Sequence, residues 1–311
     1  MRLPRGRNGR PFSVRRALRA AFLALLLFIA GGLIFVELSL NRTTVFDNLA
    51  DRPGRSIATN WLLVGSDSRA GLTDEQAAEL STGAGDFGQR TDTIMIAHIP
   101  VVGKAKLVSI PRDSFVEIPG HGTDKINAAF SLGGPELLTD TVEKSTGVRI
   151  DHYAEIGFGG FAGIVDAAGG IEMCPPEAIQ DPLAGLDIQA GCQKFDGKNA
   201  LGYVRTRATA QGDLDRVGRQ REFMGALMKR VSSPWVLLNP YRTIRLANAG
   251  VNSLTVSEKD HSWNLGWLMA RLAMGTESLT VPTAGTMDTD YAGNVLLWDE
   301  NQTEQFFKDL R

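Results

Sequence analysis

The chain has 311 residues, 43% of them apolar, enough for one large core or two small ones. Its formal charge of −2 is unevenly spread: seven arginines and no acid precede residue 20, which leaves about −9 on the remainder. An acidic body excludes non-specific nucleic-acid binding, which needs a net basic face to neutralise phosphates.

Residues 1–19 read as a basic tail. The run Ala20–Val36 carries no charge, and Leu38 and Leu40 extend it to the length of a short membrane helix. We expect residues 20–40 to form a single transmembrane anchor. A secretory signal peptide is the rival, but its apolar part is usually shorter and ends at a small-x-small site. The arginines then hold the N-terminus in the cytoplasm and leave the chain from about residue 42 outside the cell membrane. Residues 41–59 are expected to be a polar linker, and 60–311 one extracytoplasmic domain.

Within that domain "NWLLVG", "DTIMIAHIP" and "KAKLVSIP" are β-branched apolar runs between turn signals, hence strands. "KINAAFSLGG" and "PELLTDTVEKSTG" read as helices, the second stopped by Gly147. "DHYAEI" is a strand, "GFAGIVDAAGG" a short helix and "IEMCPP" a strand ended by prolines. "DLDRVGRQREFMGALMKRVSS" is the longest amphipathic helix, with Leu214, Val217, Met224, Leu227, Met228 and Val231 at helical spacing. "HSWNLGWLMARLAMG" is a further helix, "SLTVPTA" and "NVLLWD" are late strands, and "TEQFFKDL" closes the chain. The alternation predicts an α/β or α+β layered domain, a central mixed β-sheet flanked by helices.

The two cysteines, Cys174 and Cys192, lie in an expected oxidising compartment. There a pair reads as a disulfide before it reads as a metal site, two buried free thiols being the alternative.

The charged residues cluster more tellingly. "LLVGSDSR" ends a strand with Asp67 and Arg69, "GQRTDTIMIAHI" enters one with Arg90 and Asp92, and "LVSIPRDS" leaves one with Arg112 and Asp113. In "YVRTR", Arg205 and Arg207 share a face if the segment is extended and diverge if it is helical. In the following helix Arg216, Arg219 and Gln220 share a face, and Asp213 or Asp215 suits its N-cap. Guanidinium forks match phosphate oxygens, and an Asp pair with no histidine companion suits Mg²⁺ completed by substrate phosphate. Turn-capping aspartates and surface ion pairs are the ordinary explanation of any one stretch; four together point to an anion site. "GFGGFA" matches a dinucleotide-binding pattern but reads as tight packing, and the scattered histidines argue against zinc.

"GSDSR", "RTDTIMI", "SIPRDS", "KINAAFSLGG", "IDHYAEIGFGGFAGIVDAAGGI" and "GYVRTR…GDLDRVGRQREF" resemble, in order, the motifs of the LytR–CpsA–Psr family across about residues 60–230. The resemblance implies an extracytoplasmic phosphotransferase that moves a glycopolymer from a polyprenyl-pyrophosphate carrier onto peptidoglycan with Mg²⁺. It implies Asp67 and Asp92 as metal ligands. Arg90, Arg112, Arg205, Arg207 and Arg216 would grip the pyrophosphate, assisted by Gln220. Asp213 would be the base toward the acceptor hydroxyl. The cysteine pair points to an actinobacterial member and so to arabinogalactan. Phe130, Phe158, Phe161 and Ile164 are candidates to line a groove for the lipid tail. A polyprenyl-pyrophosphate binding protein and a pyrophosphatase are the alternatives. A transcription regulator is opposed by the anchor and the acidic body.

Overall fold

The computed structural model describes residues 14–67, 73–80, 91–206, 208, 213–231, 233–237 and 239–311. The chain divides into two units, Met1–Ser39 and Leu40–Arg311. The first holds helix α1, Val14–Ser39, on which the expected anchor falls. The side chains at positions 20, 21, 24–29 and 33 lie outside the described residues, as does the tail at 1–13. Among the described residues no helix is long and apolar enough to cross a membrane.

From Leu40 the chain forms β1 (Asn41–Thr43), β2 (Thr59–Ser66), the short helix α2 (Asp74–Glu79), β3 (Thr91–Ile99) and β4 (Ala105–Ile110). The hairpin β5 (Phe115–Ile118) and β6 (Gly122–Lys125) leads into α3 (Ile126–Thr146), β7 (His152–Ile156) and α4 (Phe158–Ala167). Four short strands follow: β8 (Ile171–Met173), β9 (Ile179–Asp181), β10 (Leu186–Ile188) and β11 (Gln193–Phe195). Helices α5 (Gly197–Arg205), α6 (Asp213–Val231), α7 (Pro234–Leu237) and α8 (Pro240–Ser253) come next. The chain ends with β12 (Leu254–Ser257), α9 (Ser262–Ala273), β13 (Thr276–Thr280), β14 (Thr283–Thr289), β15 (Gly293–Trp298) and α10 (Glu300–Lys308).

A seven-stranded mixed sheet in the order β1-β12-β7-β2-β3-β4-β13 carries the fold. Strands β2, β3 and β4 are near-continuous apolar runs because both faces of the sheet are covered. On one face Leu62, Val64, Ile94, Ile96, Val108 and Ile110 pack against Ile126, Phe130, Leu138 and Val142 of α3 and Phe307 of α10. On the other, Trp61, Ala97, Ile99, Ala105, Leu107 and Val256 meet Leu268 and Leu272 of α9. A third cluster joins α4, the short strands, α5 and α6 through Val165, Phe195, Tyr203, Phe223 and Leu227.

The two helices expected over "KINAAFSLGG" and "PELLTDTVEKSTG" are the two segments of α3, which breaks at Gly133 and Gly134 ahead of Pro135. Gly147 caps it in the left-handed conformation with φ 65°. Other expectations change. In the span expected to be a linker, β1 pairs in parallel with β12, and Val45 is buried in the core beneath α3. Tyr203–Arg205 of "YVRTR" are helical and end α5, which Asp196 caps by accepting from the Asn199 N–H at 2.8 Å. "SLTVPTA" divides at Val281–Pro282 between β13, parallel to β4, and β14, paired with β15. Cys174 and Cys192 form a disulfide beside the β8–β11 pair.

Candidate active site

The site begins at the ends of β2, β3 and β4. Strands β2 and β3 are antiparallel, with Gly65 opposite Thr93 and Ser66 opposite Thr91. Asp92 is therefore the extra residue of a β-bulge, a device that re-aims a side chain at a sheet rim. Asp67 leaves β2 one residue past Ser66. The β3–β4 register pairs Ile94 with Ile110, which continues to set Arg112 across from Asp92. Arg112 Nη1 donates to Asp92 Oδ1 at 2.5 Å and its Nε to Asp113 Oδ2 at 3.3 Å. Lys125, the last residue of β6, completes the chain of charges with Nζ 3.2 Å from Asp113 Oδ1. Backbone bonds from Ile126 N to Ser114 O (2.8 Å) and from Asn127 N to Arg112 O (3.2 Å) pin this loop to α3. Lys125 lay in a motif identified from sequence, but only the fold reveals its partner.

Arg205 approaches from the far side. As the last residue of α5 its guanidinium lies 4.7 Å from the centre of the Phe158 ring, and its Nη1 donates to Leu80 O at 3.3 Å. Three bonds hold the segment around it. Buried Arg219 donates from Nε to Tyr203 O at 3.2 Å and from Nη2 to Thr206 O. Gln220 Nε2 donates to Val204 O at 3.3 Å. Arg219 thus closes the C-terminal carbonyls of α5, the groups a helix end leaves unsatisfied. Thr206 Oγ1 donates to Asp181 Oδ2 at 2.6 Å. Tyr203, between the two helices, has its hydroxyl 3.4 Å from Glu222 Oε2. Burial first, then the Glu222 charge, pushes that phenol up to about 12, the Arg219 charge opposing them.

Between the sheet and α4, α5, α6, α8 and α9 lies a cavity of about 350 Å³. Leu63, Met95, Phe161, Phe223, Leu227 and Leu268 are among its apolar walls, and Ser66, Asp92, Thr93, Glu155, Arg205 and Gln220 supply its polar part. Of the aromatic candidates for a groove, Phe158 and Phe161 line this space with Ile164, whereas Phe130 packs in the opposite core beneath α3. One glycine of "GFGGFA" serves packing: a Cβ on Gly160 would stand 2.4 Å from Ser253 Cβ of α8, so α4 and α8 approach as only glycine permits.

The fold brings Asp67, Asp92 and Arg112 to one strand end, and Arg205 and Gln220 to the cavity that Asp92 also lines. Arg69, Arg90 and Arg207 lie outside the described residues. Asp213 and Arg216 sit in the first turn of α6, with their side chains outside them. Ser66 Oγ and Thr91 Oγ1 are buried without hydrogen-bond partners. These hydroxyls neighbour Asp92 and Asp67 in the chain, and all four residues offer oxygen donors, the ligand type that fits Mg²⁺. A trio of ligand-type residues elsewhere, Glu172, Cys174 and Cys192, has both sulfurs in the disulfide.

Layered helices over a mixed sheet, with charged residues at one end of an apolar cavity, define the class of fold. The chain belongs to the LytR_cpsA_psr family, whose profile matches residues 43–310. It is 59% identical over 263 residues to "Probable cell wall biosynthesis protein LcpB" of Corynebacterium glutamicum, covering 84% of this chain and 63% of that one. The chain thus spans under two thirds of that relative. Among solved structures it superposes on a "LytR-Csp2A-Psr enzyme" from Actinomyces oris with TM-score 0.69 at 19% identity, over 87% of this chain and 95% of the other. It also superposes on Bacillus subtilis TagT with TM-score 0.64 at 21% identity, over 86% and 98% of the two chains. These two likenesses are of fold.

Proposed function

We propose that the protein is a cell-wall glycopolymer phosphotransferase, taking the polymer from a polyprenyl-pyrophosphate carrier and attaching it to peptidoglycan. The observation that carries this reading is the cavity: an apolar volume of about 350 Å³ suited to part of an isoprenoid tail, with Asp92, Arg205 and Gln220 on its wall to meet a charged head group. Membership of the family, and a corynebacterial relative whose name is a cell-wall biosynthesis protein, support the same class. Arabinogalactan is the polymer we propose to test first. The uncharged run Ala20–Val36 behind seven arginines supports a single membrane anchor with the catalytic unit outside the cell.

In this mechanism the acceptor hydroxyl attacks the phosphorus that bears the glycan. The bridging P–O bond breaks, and polyprenyl phosphate leaves with the electron pair. Asp213, in the first turn of α6, accepts the hydroxyl proton. Negative charge spreads over the phosphoryl oxygens as the bond breaks, so positioned cations do most of the work. Arg112 and Arg205 supply fixed positive charge from opposite sides of the site, with Arg90, Arg207 and Arg216 assigned to the same anion and Gln220 assisting. Arg112 also orients the Asp92 carboxylate, and Lys125 orients Arg112 through Asp113. Asp67 and Asp92 would hold Mg²⁺, which supplies further positive charge to the phosphoryl oxygens.

The test is transfer of glycan from a purified polyprenyl-pyrophosphate donor to peptidoglycan by the full chain, with mass spectrometry of the products. Released polyprenyl phosphate together with new glycan on peptidoglycan is the expected result. Release of phosphate with the glycan left on water identifies a pyrophosphatase, and bound lipid without turnover identifies a carrier protein; either outcome refutes the transferase reading.

A further inference from the structure

Helix α9 is apolar on both sides. Its inner residues Leu265, Leu268 and Leu272 line the cavity, yet Trp263 (63% exposed), Trp267 (55%) and Met274 (77%) face outward. A surface helix normally presents charge there. The outer face continues onto the turn between β3 and β4, where Val101 and Val102 are 67% and 86% exposed. One residue joins the two parts: Arg271 Nη2 donates to Pro100 O at 2.8 Å and to Gly103 O at 3.0 Å, with its guanidinium 5.7 Å from the Trp267 ring centre. The segments 100–106 and 261–275 contain no carboxylate, while Lys104, Lys106 and Arg271 make them basic on an otherwise acidic body.

Two observations say what covers this face. Tryptophan beside cations, with aliphatic side chains at a turn tip, is the composition of a bilayer interface, where rings sit at head-group depth. The cations complement anionic head groups.

We propose that α9 and the β3–β4 turn are a membrane-docking face: Trp263, Trp267, Met274, Val101 and Val102 enter the interfacial layer of a bilayer, and Lys104 and Arg271 meet its anionic head groups. For its purpose the proposal rests on the lipid-carrier reading, because Met269 is both exposed and part of the cavity wall, linking the docked face to the space for the tail.

The experiment uses the full chain with vesicles of phosphatidylcholine and phosphatidylglycerol carrying brominated acyl chains, which quench nearby tryptophan. All five tryptophans follow residue 60, so the signal comes from the folded unit and not from the anchor. Quenching is expected in the parent chain, and most of it is expected to vanish when Trp263→Phe and Trp267→Phe remove the reporters. Val101→Asp with Val102→Asp, both exposed, is expected to reduce quenching at least about threefold while leaving the melting temperature unchanged. Unquenched emission, or quenching that survives removal of Trp263 and Trp267, overturns the proposal, whether a second copy or another protein then proves to cover the face. Intact quenching without glycan transfer from the purified donor leaves the docking face standing and removes the carrier reading instead.

Discussion

Asp92 and Arg112 each had a residue-level signature, an acid and a guanidinium at strand ends, but their 2.5 Å contact follows from the β3–β4 register, which no local pattern states. That contact makes Arg112 the most informative position in the site, since it touches a proposed metal ligand and faces the proposed anion. Arg112→Ala is expected to lower the transfer rate about a hundredfold or more, the scale of losing one group that stabilises developing charge, with far-ultraviolet circular dichroism unchanged. Asp92→Asn is expected to move the magnesium dependence to higher concentration; a superimposable metal titration would remove Asp92 from the metal site. Arg219 teaches the opposite lesson. Its type and helical face matched Arg216, yet it is buried against carbonyls of α5 and serves the fold.

At the level of elements, the junction of α5 and α6 places Arg205, and it is built from buried polar groups. Arg219→Ala is expected to destabilise the protein by about 1–3 kcal/mol, the cost of leaving helix-end carbonyls unsatisfied, visible as a lower denaturant midpoint. Tyr203 adds a pH signature. Its folded value of about 12 lies above the ordinary phenol near 10, so its contribution is complete below about pH 10 and is lost as pH rises toward 12. Tyr203→Phe should flatten stability against pH across that window, measured by urea titration. The helix over 197–205 was not legible in "YVRTR", because the alternation of Arg205 and Arg207 suits either conformation and the cap at Asp196 lies outside that stretch. The strands β2 to β4 were legible, because burial on both faces leaves an unbroken apolar run that no amphipathic helix shows.

For the whole molecule, the sheet separates two tasks. The face under α3 and α10 is solid core, and Phe130 belongs there; the face under α9 leaves the cavity. Leu62→Ala, at a fully buried position on the solid side, is expected to cost about 2–5 kcal/mol in thermal or denaturant unfolding. Opening the Cys174–Cys192 bridge by paired serine substitution is expected to cost about 3 kcal/mol, measured the same way.

The amino-acid order by itself determined the layered α/β class, the central strands, the cysteine pairing and the family, because periodicity, residue type and motif order are properties of neighbouring positions. Only the tertiary structure decided that Lys125 backs Arg112 through Asp113, that Arg219 is structural, that Phe130 is core while Phe161 lines the cavity, and that α9 carries an apolar face outward. Those outcomes depend on strand register and on which helix face meets the sheet, and both are set by contacts between residues far apart in the chain.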